Sequence, residues 1–331
     1  MKKKIAIVTG GAGFIGSHMV DYLLKKKFKV KVIDNLSGGR IENIKKHFKN
    51  KNFVFKKKDI CKLNSNESFF KSCDYIFHFA GIGDIVPSIE DPIKYLENNI
   101  IGTAKILKAA KKFAIKKFIY AASSSCYGIA KIPTTEKDKI NPLYPYAISK
   151  YMGEKLCFHW HNLYKLPVIS IRIFNAYGPR VKTTGVYGAV FGVFFKQKLE
   201  NKPFTIVGNG KQKRDFTYVT DVVDAFFKAA NSKISGEIFN LGTGKPKSIN
   251  LLVKILGGKK IYIPKRPGEP NTTCANPKKI KRLLKWEPKV SFEKGVKIML
   301  KDINNWKKAP LWTPIKIKDA TKSWFNFMNN I

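Results

Sequence analysis

Arginine, acidic side chains, paired cysteines and long apolar runs are all scarce in this chain of 331 residues. No apolar run reaches the roughly 18 residues that a membrane-spanning helix needs, so no membrane association is expected. The N-terminal Met1-Lys2-Lys3-Lys4 has the charge of a secretion signal, but the apolar stretch behind it is short and runs straight into glycines. It reads as a first strand. The cysteines Cys61, Cys73, Cys126, Cys157 and Cys274 are odd in number and scattered, with no C-x-x-C spacing. That argues against a disulfide framework or a zinc site and for a reducing, cytoplasmic setting. The histidines form no ligand cluster either: His159 and His161, two apart, point in different directions on a helix. No metal is expected.

Acidic residues number 23 against 63 basic ones, a formal net charge of +40. Such an excess invites a nucleic-acid partner. Only six of the basic residues are arginine, however, and the lysines are spread along the whole chain instead of forming one stripe. Asn, Ile and Phe are abundant too, a pattern of AT-rich coding. No specific nucleic-acid binding is expected, only weak, salt-sensitive adsorption to polyanions. Where lysine is the default cation, a retained arginine marks a place that needs a planar, bidentate fork. Arg180, Arg214 and Arg266 stand out on that ground. The length and the 44% hydrophobic content suit one large or two modest soluble domains.

What is present begins with an apolar stretch running into glycines, Ile5-Ala6-Ile7-Val8-Thr9-Gly10-Gly11-Ala12-Gly13-Phe14-Ile15-Gly16. Gly10, Gly13 and Gly16 recur every third residue. One permits a tight turn, one lets the backbone approach a pyrophosphate, and one lets the following helix lie close to the sheet. The pyrophosphate would sit on the free N–H groups of that helix's N-terminus. A second strand, Val30-Lys31-Val32-Ile33, ends at Asp34, whose carboxylate can accept both ribose hydroxyls and would repel a 2′-phosphate. The fingerprint therefore predicts NAD rather than NADP, with Arg40 the one nearby cation that complicates the choice.

Further strands are expected at 52–55, 75–79, 117–121, 168–171 and 237–240, with helices at about 14–27, 93–113 and 146–165. This alternation predicts an α/β fold, a doubly wound parallel (Rossmann) sheet with a smaller, mostly C-terminal substrate-binding domain. The expected division is 1–174 for the dinucleotide domain, with 214–245 returning to it, and 175–213 with 246–305 for the substrate domain. Residues 306–331, with Trp306, Trp312 and Trp324, read as a packed tail or interface and not as a site.

Ligands of open parallel sheets bind beyond the carboxyl ends of the strands. There lie His78-Phe79-Ala80-Gly81 and the serine loop Ser123-Ser124-Ser125-Cys126-Tyr127-Gly128. Pro145 suits the start of a helix that carries Tyr146 and Lys150, four apart and so on one face. A neighbouring ammonium and a positively charged nicotinamide would both lower the phenol pKa, making Tyr146 a base that takes a hydroxyl proton while hydride leaves the same carbon.

With these residues in hand, the chain resembles an extended short-chain dehydrogenase/reductase of the nucleotide-sugar epimerase/dehydratase group, to about residue 300. The resemblance rests on the glycine loop, Asp34-Asn35-Leu36-Ser37, Asp59-Ile60, the serine loop and Tyr146-x-x-x-Lys150. Arg172 through Arg180, Arg214-Asp215-Phe216, Asn240 through Gly244, and Arg266-Pro267-Gly268-Glu269 complete it. It implies that Gly10, Gly13, Phe14, Ile15, Gly16, Asp34, Asn35 and Ser37 hold the pyrophosphate and adenosine ribose, and Asp59 and Ile60 the adenine edge. Ala80, Asn99, Tyr146 and Lys150 would complete the NAD site. Tyr146 would be the base, with Ser123 as its partner at the sugar O4. Ser124, Ser125, Asn175, Arg214, Arg266, Glu269 and Thr273 would contact the substrate, a UDP-sugar. It also suggests a homodimer through the helices at about 93–113 and 146–165.

Related 4,6-dehydratases carry an Asp-Glu pair in the serine loop, and decarboxylases a Glu where this chain has Ser125. Here the loop has no carboxylate, and Cys126 reads as packing. What remains is return of hydride to the opposite face, a 4-epimerisation. A lyase or a UDP-glucuronate 4-epimerase of the same fold is the alternative, and a non-catalytic dinucleotide-binding protein a more distant one. The Asp34-Asn35-Leu36-Ser37 run is most like UDP-glucose 4-epimerases, and Thr273 falls on their sugar-pocket gatekeeper. A small residue there would admit N-acetylhexosamines.

Overall fold

The computed structural model describes residues 3–64, 66–181 and 190–329. In chain order, the first half runs β1 (Ile5–Thr9), α1 (Phe14–Lys25), β2 (Lys29–Asp34), β3 (Phe53–Lys57), β4 (Tyr75–His78), α2 (Val86–Glu90), α3 (Pro92–Leu96), α4 (Gly102–Lys112), β5 (Lys117–Ser123), α5 (Pro145–Tyr164) and β6 (Val168–Ile173). The second half follows with β7 (Asn175–Tyr177), α6 (Val190–Leu199), β8 (Phe204–Val207), β9 (Lys213–Arg214), β10 (Phe216–Tyr218), α7 (Val219–Asn231) and β11 (Glu237–Leu241). Then come β12 (Lys247–Ser248), α8 (Ile249–Leu256), β13 (Lys260–Ile263), α9 (Lys278–Leu284), α10 (Phe292–Lys301) and α11 (Pro314–Asn329).

Seven strands form one parallel sheet in the order β11-β6-β5-β4-β1-β2-β3. Its inner strands are apolar on both faces because helices cover both. α1, α7 and α9 bury Met19, Val20, Val222, Phe226 and Ile280 on one side, and α4 and α5 bury Ile106, Leu107 and Cys157 on the other. The chain leaves β1 for β2 in one direction and later returns to place β4 on its other flank. That reversal opens a crevice at the carboxyl ends of β1 and β4.

A separate aromatic core gathers Phe191, Phe195, Phe204, Phe216, Leu252, Phe292 and Trp306. Around it lie the parallel pair β8–β13 and the short pairs β7–β10 and β9–β12. Within 246–305, however, Ile280, Leu284 and Trp286 pack into the core of the large sheet. The two modules are therefore interleaved along the chain.

One expected helix is continuous but locally widened. The 93–113 stretch is α3, then a wide π turn over Glu97–Ile101, then α4. The extra residue of such a turn re-aims a side chain, and the one it turns inward is Asn99.

Candidate active site

Gly10 adopts φ +67°, and a side chain there would drive a Cβ to 2.7 Å from the Ala80 nitrogen. A Cβ on Gly16 would lie 2.1 Å from the Gly10 oxygen. Both glycines are thus required by close approach: α1 must abut the loop, and the loop must abut the end of β4. The Gly13 N–H donates to the Gly10 carbonyl at 3.1 Å, closing the turn, and Phe14 and Ile15 begin the helix. The Asp34 carboxylate accepts from the Ala12 N–H (2.9 Å) and the Leu36 N–H (2.8 Å). Burial raises its pKa and these bonds oppose the rise. Asn35 accepts from the Ser37 N–H and hydroxyl and donates to Asp59 at 3.2 Å, linking the ends of β2 and β3. The cradle of backbone N–H groups, close-packed glycines and a fixed carboxylate fits a dinucleotide with a free ribose. Ile60 is different: its side chain is buried against Gly102 at the start of α4.

Asn99 is fully engaged within the protein. Its amide donates to the Ile82 carbonyl (3.0 Å) and the Ser149 hydroxyl (2.9 Å), and its oxygen accepts from the Ile82 N–H (2.9 Å). It ties the loop after β4 to α5. Beneath it runs a buried chain that the sequence reading missed. Thr9 Oγ1 lies 2.6 Å from His78 Nδ1, His78 Nε2 lies 3.0 Å from Thr103 Oγ1, and the Thr103 hydroxyl donates to the Asn99 carbonyl. The Ala80 N–H donates to Thr9 at its upper end. Burial pushes the His78 pKa down to about 3, so the imidazole is neutral.

Tyr146 stands in the first turn of α5 and Lys150 one turn on, the latter buried with its ammonium 4.4 Å over the Tyr120 ring. Burial pushes the Lys150 pKa down to about 8. The lowering of the Tyr146 phenol expected with nicotinamide present is not supplied by the protein by itself, which raises it. Burial raises it, the carboxylate of Asp84 works in the same direction, and hydrogen bonding with Ser123 and Ser125 opposes both. The ammonium of Lys150 is held over Tyr120, so burial outweighs it at Tyr146. Asp84, on the loop after β4, had no motif to announce it.

The serine loop leaves β5 with Ser123 Oγ 2.7 Å from Ser125 Oγ, and Ser123 also accepts from the Ser125 N–H. Ser124 opens the short turn that follows, and Cys126 is buried with Phe174 and Ala275, its thiol pKa pushed up to about 12. The loop rests on a buried fork. Arg172 on β6 donates through Nε and Nη2 to both oxygens of Glu154 on α5 (3.0 and 2.5 Å), and through Nη1 to the Tyr127 hydroxyl, which donates to Asn240. Arg172, not among the arginines singled out from the sequence, thus forms a planar fork with an internal partner. Arg180 likewise reaches Ser17 and Asp21 on α1.

Across the crevice, Asn175, Arg214, Arg266 and Glu269 line one cavity of about 300 Å³. Arg214 donates to Glu269 (2.5 Å) and to the Pro270 carbonyl (2.9 Å), and Arg266 lies 4.0 Å from the same carboxylate. Asn175 donates to the Thr273 hydroxyl at 3.0 Å. The buried carboxylate of Asp215 fixes this wall by accepting from the Thr243, Gly244 and Ala275 N–H groups. The helix α11, expected to be a packed tail or interface and not part of a site, also reaches this place: Ile317 lines the cavity, and Trp324 meets Tyr144 and the Pro267 carbonyl. Among the described residues no group of His, Cys, Asp and Glu is placed to hold a metal, and no helix is long and apolar enough to cross a membrane.

A dinucleotide cradle, with Ser123, Tyr146 and Lys150 at its edge and an arginine-lined cavity opposite, is the arrangement of a short-chain dehydrogenase/reductase. By comparison with known families, residues 7–299 match the GDP-mannose 4,6 dehydratase family, and the chain belongs to it. A UDP-N-acetyl-alpha-D-glucosaminuronate decarboxylase of Bacillus cytotoxicus is 34% identical over 315 residues, covering 89% of this chain and 96% of that protein. The UDP-glucose 4-epimerase of Thermotoga maritima, solved with UDP-glucose, is 34% identical with a TM-score of 0.84, covering 91% of this chain and 98% of that one. The UDP-glucuronic acid 4-epimerase of Bacillus cereus, solved with UDP-glucuronic acid and NAD, is 34% identical with a TM-score of 0.85, covering 91% and 99%.

Proposed function

We propose that this protein is an NAD-dependent 4-epimerase of a UDP-sugar. The observation that carries the reading is the hydroxyl of Ser125, 2.7 Å from that of Ser123, where related decarboxylases carry a glutamate. Bound NAD supplies the acceptor, and then the donor, of the C4 hydride. The protein's own part is positional and protonic. The glycine loop and Asp34 hold the dinucleotide, and Lys150 offers its ammonium to the nicotinamide ribose. Tyr146 takes the O4 proton, with Ser123 aligning that hydroxyl, and returns it when the ketone is reduced. Arg214 and Arg266 grip the diphosphate through planar forks, exchanging part of their bonding to Glu269 for phosphate oxygens. With the anchor tight and the sugar free to swing, hydride returns to the opposite face and no net redox change results.

The decisive experiment is a panel of UDP-glucose, UDP-galactose, their N-acetyl forms and UDP-glucuronate, with products identified by NMR. A C4 epimer with no free NADH formed is expected, while a 4-keto-6-deoxy sugar or a pentose would overturn the reading in favour of a lyase. Tyr146→Phe should cost on the order of 10²–10⁴ in kcat while UDP binding persists. For the sugar, we take Thr273 as the gatekeeper on the family resemblance: it is a small side chain that accepts from Asn175, itself a cavity residue, and a small residue there would admit an N-acetyl group. Thr273→Tyr should suppress turnover of acetylated substrates selectively. Unchanged turnover of those substrates would remove Thr273 from the specificity argument.

We further place a homodimer contact on α5 and the segment before α4, where Ile93, Ile101, Met152 and Leu163 stand exposed. Sedimentation of the Met152→Glu/Leu163→Glu variant should show monomers. The unpaired thiols suit a reducing cytoplasm.

A further inference from the structure

The helix α11 lies beyond residue 299, where the family match ends. Ile317, Thr321, Trp324 and Met328 follow one another at spacings of four, three and four, so they form a single seam. The seam faces inward: Ile317, Thr321 and Trp324 are buried. The helix spans the mouth of the cleft. On the large-sheet side it packs along α2, and the Ser323 hydroxyl donates to Glu90 at 2.8 Å. On the other side the Trp324 indole donates to the Pro267 carbonyl at 2.9 Å, and Met328 nests against Gly268. Pro267 adjoins Arg266, one of the two arginines of the cavity.

Trp324 also sets its ring edge-on to Tyr144, centroids 5.5 Å apart, and Tyr144 lies parallel to Tyr146 at 6.4 Å. One indole thus touches the residue after an anchoring arginine and the ring beside the proposed base. Ile317 forms part of the cavity wall without filling it, since about 300 Å³ stays open beside Arg214 and Arg266. A plug would occupy that space. A lid would border it.

We propose that α11 is a substrate-retaining lid of the nucleotide-sugar site, with Trp324 as its latch and Ile317 as part of its wall. The inference rests on the nucleotide-sugar reading above. In such a site the oxidised sugar must stay bound between two hydride transfers, and a lid joining both banks of the cleft slows its escape.

The test measures UDP alone by stopped-flow association and dissociation, so it does not depend on which sugar is used. The intact chain is compared with Trp324→Ala, with Trp324→Phe and with a chain ending at Thr313. UDP dissociation is expected to rise at least tenfold in Trp324→Ala and in the shortened chain, with Trp324→Phe between, and with bound NAD retained. If the shortened chain fails to fold, the two point variants decide. Unchanged dissociation in Trp324→Ala would reduce α11 to a packed tail. A change in association alone would make it an inhibitory plug. Failure of the intact chain to bind UDP would overturn the nucleotide-sugar reading itself, and the lid with it.

Discussion

Lys150 is the residue whose chemistry is most exposed to pH. Its ammonium is buried beside Tyr120, and the cost of burying charge brings its pKa down to about 8. Below that pH it is charged, and it loses its proton as the pH rises through about 8. If the ammonium bonds the nicotinamide ribose, NAD affinity should hold up to about pH 8 and then fall toward one-tenth for each further pH unit. Calorimetric titration with NAD between pH 7 and 9.5 would show it, and a flat affinity would mean that the charge of Lys150 makes no such contact. The spacing of Tyr146 and Lys150 was legible in the sequence because a helix puts i and i+4 on one face. The balance of their pKa values was not, because burial is set by neighbours distant in the chain.

At the scale of elements, α5 carries both the proposed base and the support of the serine loop. Glu154, two turns beyond Tyr146, pairs with Arg172 on β6, and Arg172 in turn holds Tyr127 under Ser123 and Ser125. Breaking one side of so buried a pair strands the other charge, at about 3–5 kcal/mol. Glu154→Gln should lower stability to urea by that order and loosen the serine loop, reducing kcat more than UDP affinity. Loss of stability without any change in kcat would separate the fork from the site. The π turn before α4 belongs to the same scale. An apolar period running through 93–113 predicts one helix, and only the bonds of Asn99 to Ile82 and Ser149 explain why the backbone widens there. The α11 seam was present in the sequence as a helical period, but the surface it covers was not.

For the molecule as a whole, the neutral His78 couples stability to pH. An unfolded histidine titrates near 6.5, whereas the folded His78 resists protonation down to about 3. As the pH falls below 6.5 the unfolded chain gains a proton that the folded chain refuses, so stability is full above that pH and declines below it. By pH 5 this one group should cost about 2 kcal/mol. Urea melts at pH 7 and 5 should show the loss, and His78→Gln should reduce the difference between the two pH values. An undiminished difference would assign the acid sensitivity to other groups.

The alternation of apolar strands and amphipathic helices determined the parallel sheet, and the glycine spacing with Asp34 determined the dinucleotide cradle. Both are local: they depend on period, backbone freedom and short loops, which a sequence carries directly. The family resemblance had grouped Arg214, Arg266 and Glu269, but the tertiary structure alone turned Arg214 onto Glu269, returned α9 to the first core, and set α11 against Pro267. Those placements follow from which apolar surfaces meet across long stretches of chain, and burial has no sequence spacing of its own.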